Sequence, residues 1–286
     1  MRHGFLLINK PVGPTSHDIV DIVRERLHER DVGHLGTLDP AAEGLLILAV
    51  GSKALKVIEL FQNLSKEYEA WVQFGSTSTT YDREGVIEEK EPPKGWTQPD
   101  SLKIRRLIED RFVGKIAQIP PAASAVSIGG ERAYRKFRQG KGVNIPSRTV
   151  EIEECSITSY TYPELHLHVR CGSGTYIRSL AHDLGEALRC GGYLTSLKRT
   201  VVGPWTVVDA VDPGEVQWAH VSPLKEILKP FSRIDITSEQ GEDLRHGRDI
   251  SIEIKPNTIA WLDDLPVGIL IPSKDGSQGA HARKIF

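Results

Sequence analysis

Residues 33–50 read Gly33-His34-Leu35-Gly36-Thr37-Leu38-Asp39-Pro40-Ala41-Ala42-Glu43-Gly44-Leu45-Leu46-Ile47-Leu48-Ala49-Val50. The closing run, 45–50, is apolar without a break, which is the pattern of a strand buried on both faces at the centre of a sheet. The stretch before it is too rich in glycine and proline for regular structure. It reads as a loop seated on a rigid strand, an arrangement in which chemistry commonly sits. Gly33, Gly36 and Gly44 permit tight or left-handed backbone around one carboxylate, Asp39. On residues alone Asp39 has two level readings. It is a candidate for chemistry, and Asp followed by Pro40 is also a good cap and first-turn pair for a short helix.

Working outward, residues 4–9 form a short apolar strand, and Thr15 caps a helix with Asp18 closing a capping box. Ile19, Ile22, Val23 and Leu27 recur at helical spacing. On the other side Gly51 ends the strand and Ser52 caps a helix carrying Leu55, Ile58, Leu60 and Phe61. Residues 68–74 alternate as a strand, with Tyr68, Ala70, Val72 and Phe74 on one side. A polar loop is expected over 76–85, a helix over 102–112, and strands around 150–158 and 165–171. Gly172 and Gly174 break the latter before an amphipathic helix over 175–188. Residues 207–228 read as a mixed connector, and short strands at 258–262 and 267–271 suggest a small β-rich C-terminal module. Strands and helices without regular βαβ alternation favour an α+β fold.

Bulk properties narrow the function. The 286 residues are 39% hydrophobic and 26% charged, ordinary for a soluble globular protein. No apolar run approaches the roughly 20 residues needed to span a bilayer, and the N-terminus lacks a signal-peptide pattern. A cytoplasmic protein without a membrane partner is expected. Cys155, Cys171 and Cys190 are unclustered and lack metal-ligand spacing, which reads as reduced intracellular thiols. A net charge of −2 argues against coating nucleic acid through bulk charge, and leaves room for a local basic surface. Such a surface is found around 129–141, where Arg132, Arg135, Lys136, Arg138 and Lys141 surround Tyr134 and Phe137. A solvated charged helix is the plainer reading of that stretch.

The motifs carry a resemblance. Gly36-x-Leu38-Asp39-Pro40-x-Ala42-x-Gly44 after Gly33-His34 resembles the catalytic motif of TruB pseudouridine synthases. Asn9-Lys10-Pro11-x-Gly13-x-Thr15-Ser16 is similar to that family's N-terminal motif. Lys66-x-Tyr68, Asp82-x-x-Gly85, Gly174-Thr175-Tyr176-Ile177-Arg178-Ser179-Leu180 and Leu197-Lys198-Arg199-Thr200-x-x-Gly203 follow in the family's order. The sequence also departs from it. Ser78-Thr79-Thr80 stands where an aspartate between two threonines is usual, Leu55 replaces a threonine, Ala123 an aromatic, and Ser127 a lysine.

The resemblance implies a mixed-sheet α+β pseudouridine synthase domain over 1–228, with an RNA-clasping insertion at about 120–147, and a small PUA-like module over 229–286. It implies conversion of the T-loop uridine of tRNA, position 55, without cofactor or metal, by a protein acting as a monomer. Asp39 would be the nucleophile, at ribose C1′ or uracil C6, and Arg178 its basic partner, able to lower its pKa. Tyr68 would stack on the flipped base and is a candidate for the base acting at C5. Tyr176 and Leu197 would line the pocket, and His34 would fill the gap left by the flipped uridine. Lys10, Lys198 and Arg199 would brace the site. Without the motifs, Arg178 is a surface helix arginine, Tyr68 an ordinary strand tyrosine and Leu197 core. Two other classes compete. A non-catalytic RNA-folding module would not require Asp39 beside Arg178. A carbohydrate hydrolase would require a second placed acid near Asp39, and Glu43 is the only one nearby in sequence.

Overall fold

A computed structural model describes residues 3–124, 126–128, 130–139, 142, 144–273 and 279–286, with the side chains of Ile128, Arg132 and Arg138 outside the description. The chain opens with β1 (Gly4–Lys10), α1 (Ser16–Leu27), β2 (Val32–Leu35) and β3 (Ala42–Val50). Next come α2 (Ser52–Val57), β4 (Lys66–Phe74), the short hairpin β5 (Ser76–Ser78) and β6 (Ile87–Glu89), and α3 (Ser101–Arg111). The middle holds β7 (Gly114–Gln118), β8 (Ser127–Ile128), β9 (Glu131–Arg132) and α4 (Ala133–Arg138). A long hairpin of β10 (Arg148–Thr161) and β11 (Glu164–Cys171) leads to α5 (Ile177–Ala187) and β12 (Gly192–Val202). After β13 (Trp205–Thr206), β14 (Ser222–Pro223) and α6 (Leu224–Ile227) come β15 (Arg233–Asp235), α7 (Ser238–Arg245), β16 (Thr258–Leu262), β17 (Leu265–Pro272) and β18 (Ala280–Ile285).

The large sheet runs β14-β1-β3-β12-β4-β11-β10-β7, with β2 also on β3 and β13 on β12. A separate sheet runs β15-β16-β17-β18. This is the α+β arrangement expected, with a small β-rich module at the C-terminus. The unbroken apolar run of β3 has a direct explanation. Leu45, Ile47 and Ala49 join one buried cluster with Phe5 and Phe61, whereas Leu46, Leu48 and Val50 join another with Ile19 and Val23 of α1. Burying both faces requires apolar residues at every position. On β4, Tyr68, Ala70, Val72 and Phe74 face Ile104 and Ile108 of α3 and Leu180 and Leu184 of α5. Trp261 and Ile269 of the C-terminal sheet share the cluster of Phe5 and Phe61. Lys56 donates to Ile285 O (2.7 Å), and Glu59 pairs with both Arg283 and Lys284 at 3.0 Å.

The capping box at Thr15 is present: Asp18 N donates to Thr15 Oγ1 (3.1 Å) and Thr15 N to Asp18 Oδ2 (2.8 Å). Other expectations are corrected. The stretch 32–43 is not all loop, because residues 32–35 pair antiparallel with β3. The expected loop at 76–85 begins as a strand paired with β6. Gly51, not Ser52, is the N-cap of α2. Finally, β12 is a central strand that hydrophobic pattern did not announce. It pairs parallel with β3 and antiparallel with β4, and so joins the two halves of the sheet.

Helix α5 lies on β12 with almost no space between backbones. A Cβ on Gly185 would stand 2.1 Å from Gly192 N, and one on Gly192 would stand 2.7 Å from Ala181 O. Gly185→Ala therefore forces α5 off the sheet. A loss of about 1–3 kcal/mol is expected, read as a lower denaturant midpoint; an unchanged midpoint would show that the helix has room to spare.

Candidate active site

The Asp39 loop is held by its backbone. Ser16 Oγ donates to Leu38 O (3.0 Å) and accepts from Leu38 N (2.9 Å), so the helix start pins the residue before Asp39. Gly13 N donates to Pro40 O (2.9 Å). The fully buried Lys10 ammonium donates to Pro11 O (2.8 Å), Ala42 O (2.7 Å) and, at 3.5 Å, Pro40 O. From the other side the buried Arg199 donates to Leu45 O (2.7 Å) and Gly36 O (3.0 Å), gripping both ends of the loop. Gly44 has φ +100°, and a Cβ there would stand 2.3 Å from Arg199 O, so only glycine lets the two strands meet. No helix starts at Asp39. Its carbonyl accepts from Ala42 N (3.0 Å) in a single turn that runs into β3, which removes the helix-cap reading.

Arg178, in the first turn of α5, is buried and sits between two carboxylates. Its Nη2 lies 3.0 Å from Asp39 Oδ2 and its Nη1 3.2 Å from Asp82 Oδ2. The same nitrogens donate to Ala123 O and Thr80 O, each at 3.1 Å. Asp82 was read from sequence only as part of a motif, with no role given to it. Its place is built by the hydroxyls of the unusual Ser78-Thr79-Thr80 segment. Ser78 donates to Asp82 O, Thr80 donates to Asp82 Oδ1 (2.5 Å), and Glu84 N donates to that same oxygen (3.0 Å). Gly85 fits against this turn because a Cβ would stand 2.4 Å from Ser78 Oγ. The departure from the usual loop sequence thus leaves a fully bonded turn. Asp82 is also the second acid whose absence counted against a hydrolase. Being buried and fastened to Arg178, it is not free to protonate a leaving group.

Asp39 keeps 40% of its side chain exposed, toward a cavity, while the guanidinium beside it is 6% exposed. Burial raises the Asp39 carboxyl above the ordinary carboxylate range. Arg178 opposes this and Asp82, a like charge, adds to it. The expected lowering by Arg178 is thus present but outweighed. Burial likewise raises the Tyr68 phenol, against the pull of Arg199, so Tyr68 is a neutral phenol near neutrality. Burial lowers His34, leaving a neutral ring suited to stacking. It also pushes the Lys10 ammonium down to about 8, with Asp39 opposing.

Asp39, Tyr68, Tyr176, Arg178 and Leu197 line one narrow cavity of about 70 Å³. Tyr68 and Tyr176 also line a wider cleft of about 570 Å³, which contains His34, Arg148 and Arg199. The six residues singled out in the sequence therefore stand around two hollows that share Tyr68 and Tyr176 as walls. Leu197 arrives there through β12, opposite Ala42 of β3 and Ala70 of β4. Arg148 lies over the Tyr176 ring at 4.8 Å, a contact the sequence gave no sign of. In the basic insertion, Gly129 and Lys141 and the side chains of Arg132 and Arg138 lie outside the described residues. Arg135 Nε donates to Tyr134 Oη (3.3 Å) within it. Among the described residues no cluster of His, Cys, Asp and Glu is arranged to hold a metal.

Residues 24–177 match the family described as TruB family pseudouridylate synthase (N terminal domain), and residues 178–234 match the tRNA pseudouridylate synthase B C-terminal domain. The chain belongs to the TruB family. A "tRNA pseudouridine synthase B" of Carboxydothermus hydrogenoformans is 39% identical over 257 residues, covering 88% of this chain and 87% of that one. Another so named, from Thermobifida fusca, is 38% identical over 261 residues with the same coverage of each chain. Among solved structures, one titled "Crystal Structure of a Cbf5-Nop10-Gar1 Complex" superposes with a TM-score of 0.72 at 21% identity, over 99% of this chain and 84% of that one. At that identity it speaks for the shared fold alone.

Within this TruB-family chain, Lys10 is a structural cation. Lys10→Met would leave the buried Ala42 carbonyl without its ammonium donor, at a cost of about 1–3 kcal/mol. Urea unfolding should show it; a variant as stable as wild type would mean that the loop closes without the ammonium.

Proposed function

We propose that this pseudouridine synthase isomerises the T-loop uridine of tRNA, position 55, with Asp39 as the nucleophile and no cofactor. The observation that carries the assignment of roles is the placement of the Asp39 carboxylate 3.0 Å from a buried guanidinium, at the wall of a cavity shared with Tyr68, Tyr176 and Leu197. The reaction exchanges one bond for another on the same base. The N1–C1′ bond breaks, a C5–C1′ bond forms, the proton leaves C5 and the freed N1 takes one up. Atoms and electrons balance without an oxidant or a co-substrate. An ionised carboxylate is needed to attack C1′ or C6, and Arg178 supplies the charge that favours the ionised form of Asp39 against the opposing effect of burial.

The narrow cavity admits a base only if the uridine leaves its stack, at a cost of a few kcal/mol. Tyr68 and Tyr176 would flank the extruded base, and Leu197 would close the apolar side. His34, in the adjoining cleft, would occupy the vacated position in the T loop. Recognition of a folded loop with a splayed base suits this division between a small pocket and a wide cleft. Tyr68 serves best as a stacking and hydrogen-bonding group, because a phenol with a raised pKa stays protonated and offers no phenolate to take the C5 proton. The basic insertion would close over the RNA.

We read residues 229–286 as a PUA-like module and the protein as acting as a monomer. A cytoplasmic location fits three free, buried cysteines and the lack, among the described residues, of a helix long and apolar enough to cross a membrane.

The test uses tRNA transcript carrying tritium at uridine C5. Wild type should release tritium to water, and Asp39→Asn should fall by at least about 10³-fold. Equal release by both proteins sinks the role of Asp39. Release that persists when the T-loop uridine is replaced by cytidine sinks the assigned position.

A further inference from the structure

The turn that delivers Asp82 to Arg178 contains an energetic oddity. Tyr81, immediately before Asp82, has φ +64°, a left-handed backbone that a bulky aromatic residue rarely adopts. Its backbone is fastened on both sides, with Tyr81 N donating to Ser78 O (3.1 Å) and Tyr81 O accepting from Leu194 N of β12 (3.0 Å). Its ring lies flat on the imidazole of His182, with centroids 3.9 Å apart and planes within 7°. His182 is on α5, one helical turn beyond Arg178. A single helix therefore holds the guanidinium and, through the ring stack, the turn that carries the guanidinium's second carboxylate.

We propose that His182 and Tyr81 are a positioning pair, in which the imidazole holds Tyr81 in its left-handed conformation and so keeps Asp82 on Arg178. Three observations support it beyond the stack itself. Leu194, which grips Tyr81, also bridges to Asp82, so the left-handed residue and the one bearing the carboxylate share a single backbone contact with β12. His182 Nδ1 is buried without a hydrogen-bond partner, which disfavours a second proton and keeps the ring neutral. Burial lowers the basicity of the ring in the same direction, Glu186 on the same helix opposes it, and Lys90, paired with Glu186, adds to the lowering. The other ionisable neighbour on the helix is Asp183, pushed up to about 6 by burial and Glu186. Neither His182 nor Tyr81 lines the Asp39 cavity. Their effect on chemistry passes through Asp82 and Arg178.

The proposal rests on the reading of Asp39 and Arg178 as the reacting centre, and the experiment separates the two. Single-turnover tritium release and tRNA affinity are measured for wild type, His182→Ala, His182→Phe, Tyr81→Phe, Tyr81→Gly and Tyr81→Ala, each checked for folding by thermal melt. No release by wild type would overturn the reading of the site itself. With wild type active, His182→Ala should lower the single-turnover rate by about tenfold or more while tRNA affinity stays within about twofold, the signature of a misplaced group away from the chemistry. His182→Phe should restore most of the rate, because a flat ring is what the stack needs. Tyr81→Gly should be faster than Tyr81→Ala, since glycine accepts φ +64° without strain, and Tyr81→Phe should match wild type. In an Asp82→Asn background, His182→Ala should have little further effect, because the carboxylate it positions is already gone. Full activity in His182→Ala, equal losses in rate and affinity, or an undiminished loss in the Asp82→Asn background would each overturn the pair.

Discussion

The guanidinium of Arg178, buried between Asp39 and Asp82, is the contact on which the remaining architecture depends. A buried cation is tolerable only when its charge and its donors are met. Here the two carboxylates and the carbonyls of Thr80 and Ala123 meet them. These partners come from three separate segments, the Asp39 loop, the 78–85 turn and the start of the basic insertion, and they meet on an arginine carried by α5. Each must be placed before the arginine can be buried. The close packing of α5 on β12 at Gly185 and Gly192 provides the common base. The arrangement holds the Asp39 carboxyl, the proposed nucleophile, between a burial effect that favours the acid and a cation that favours the base.

Residues that support the fold and residues that support the reaction overlap along β12. Arg199 clamps both ends of the Asp39 loop, Leu197 lines the cavity, and the strand bonds both halves of the sheet. Lys10 acts from the opposite side of the loop through carbonyls alone. Variants at these positions will lose activity through lost geometry, so the thermal melt must accompany every rate. The stack of Tyr81 on His182 follows the same economy, with one helix fixing both the arginine and the turn that feeds it.

Much of this was legible in the sequence, for identifiable reasons. The double-sided burial of β3 demanded apolar residues at every position, and the capping box at Thr15 depends only on residues three apart. Alternation on β4 correctly placed Tyr68 inward. Other features were hidden. Strand β12 carries Thr195, Ser196, Lys198, Arg199 and Thr200 because it borders a polar loop and cavity, so its centrality left no hydrophobic trace. The partnership of Asp82 with Arg178 joins segments far apart in the chain, and no local pattern encodes it. The direction of the Asp39 shift needed burial as well as charge. The Ser78-Thr79-Thr80 departure showed in the sequence only as a mismatch to the family pattern, whereas its hydroxyls build the turn that seats Asp82.

The most direct measurement is the pH dependence of single-turnover pseudouridine formation by wild type and by Asp82→Asn. With Asp39 as the group that must ionise, the rate rises with pH through its pKa, which burial and Asp82 hold up and Arg178 holds down. Removing the Asp82 charge leaves Arg178 to Asp39 alone, so the acid limb should move to lower pH even as the plateau rate falls. An acid limb that stays in place or moves to higher pH would contradict the bridge between Asp39 and Asp82 through Arg178.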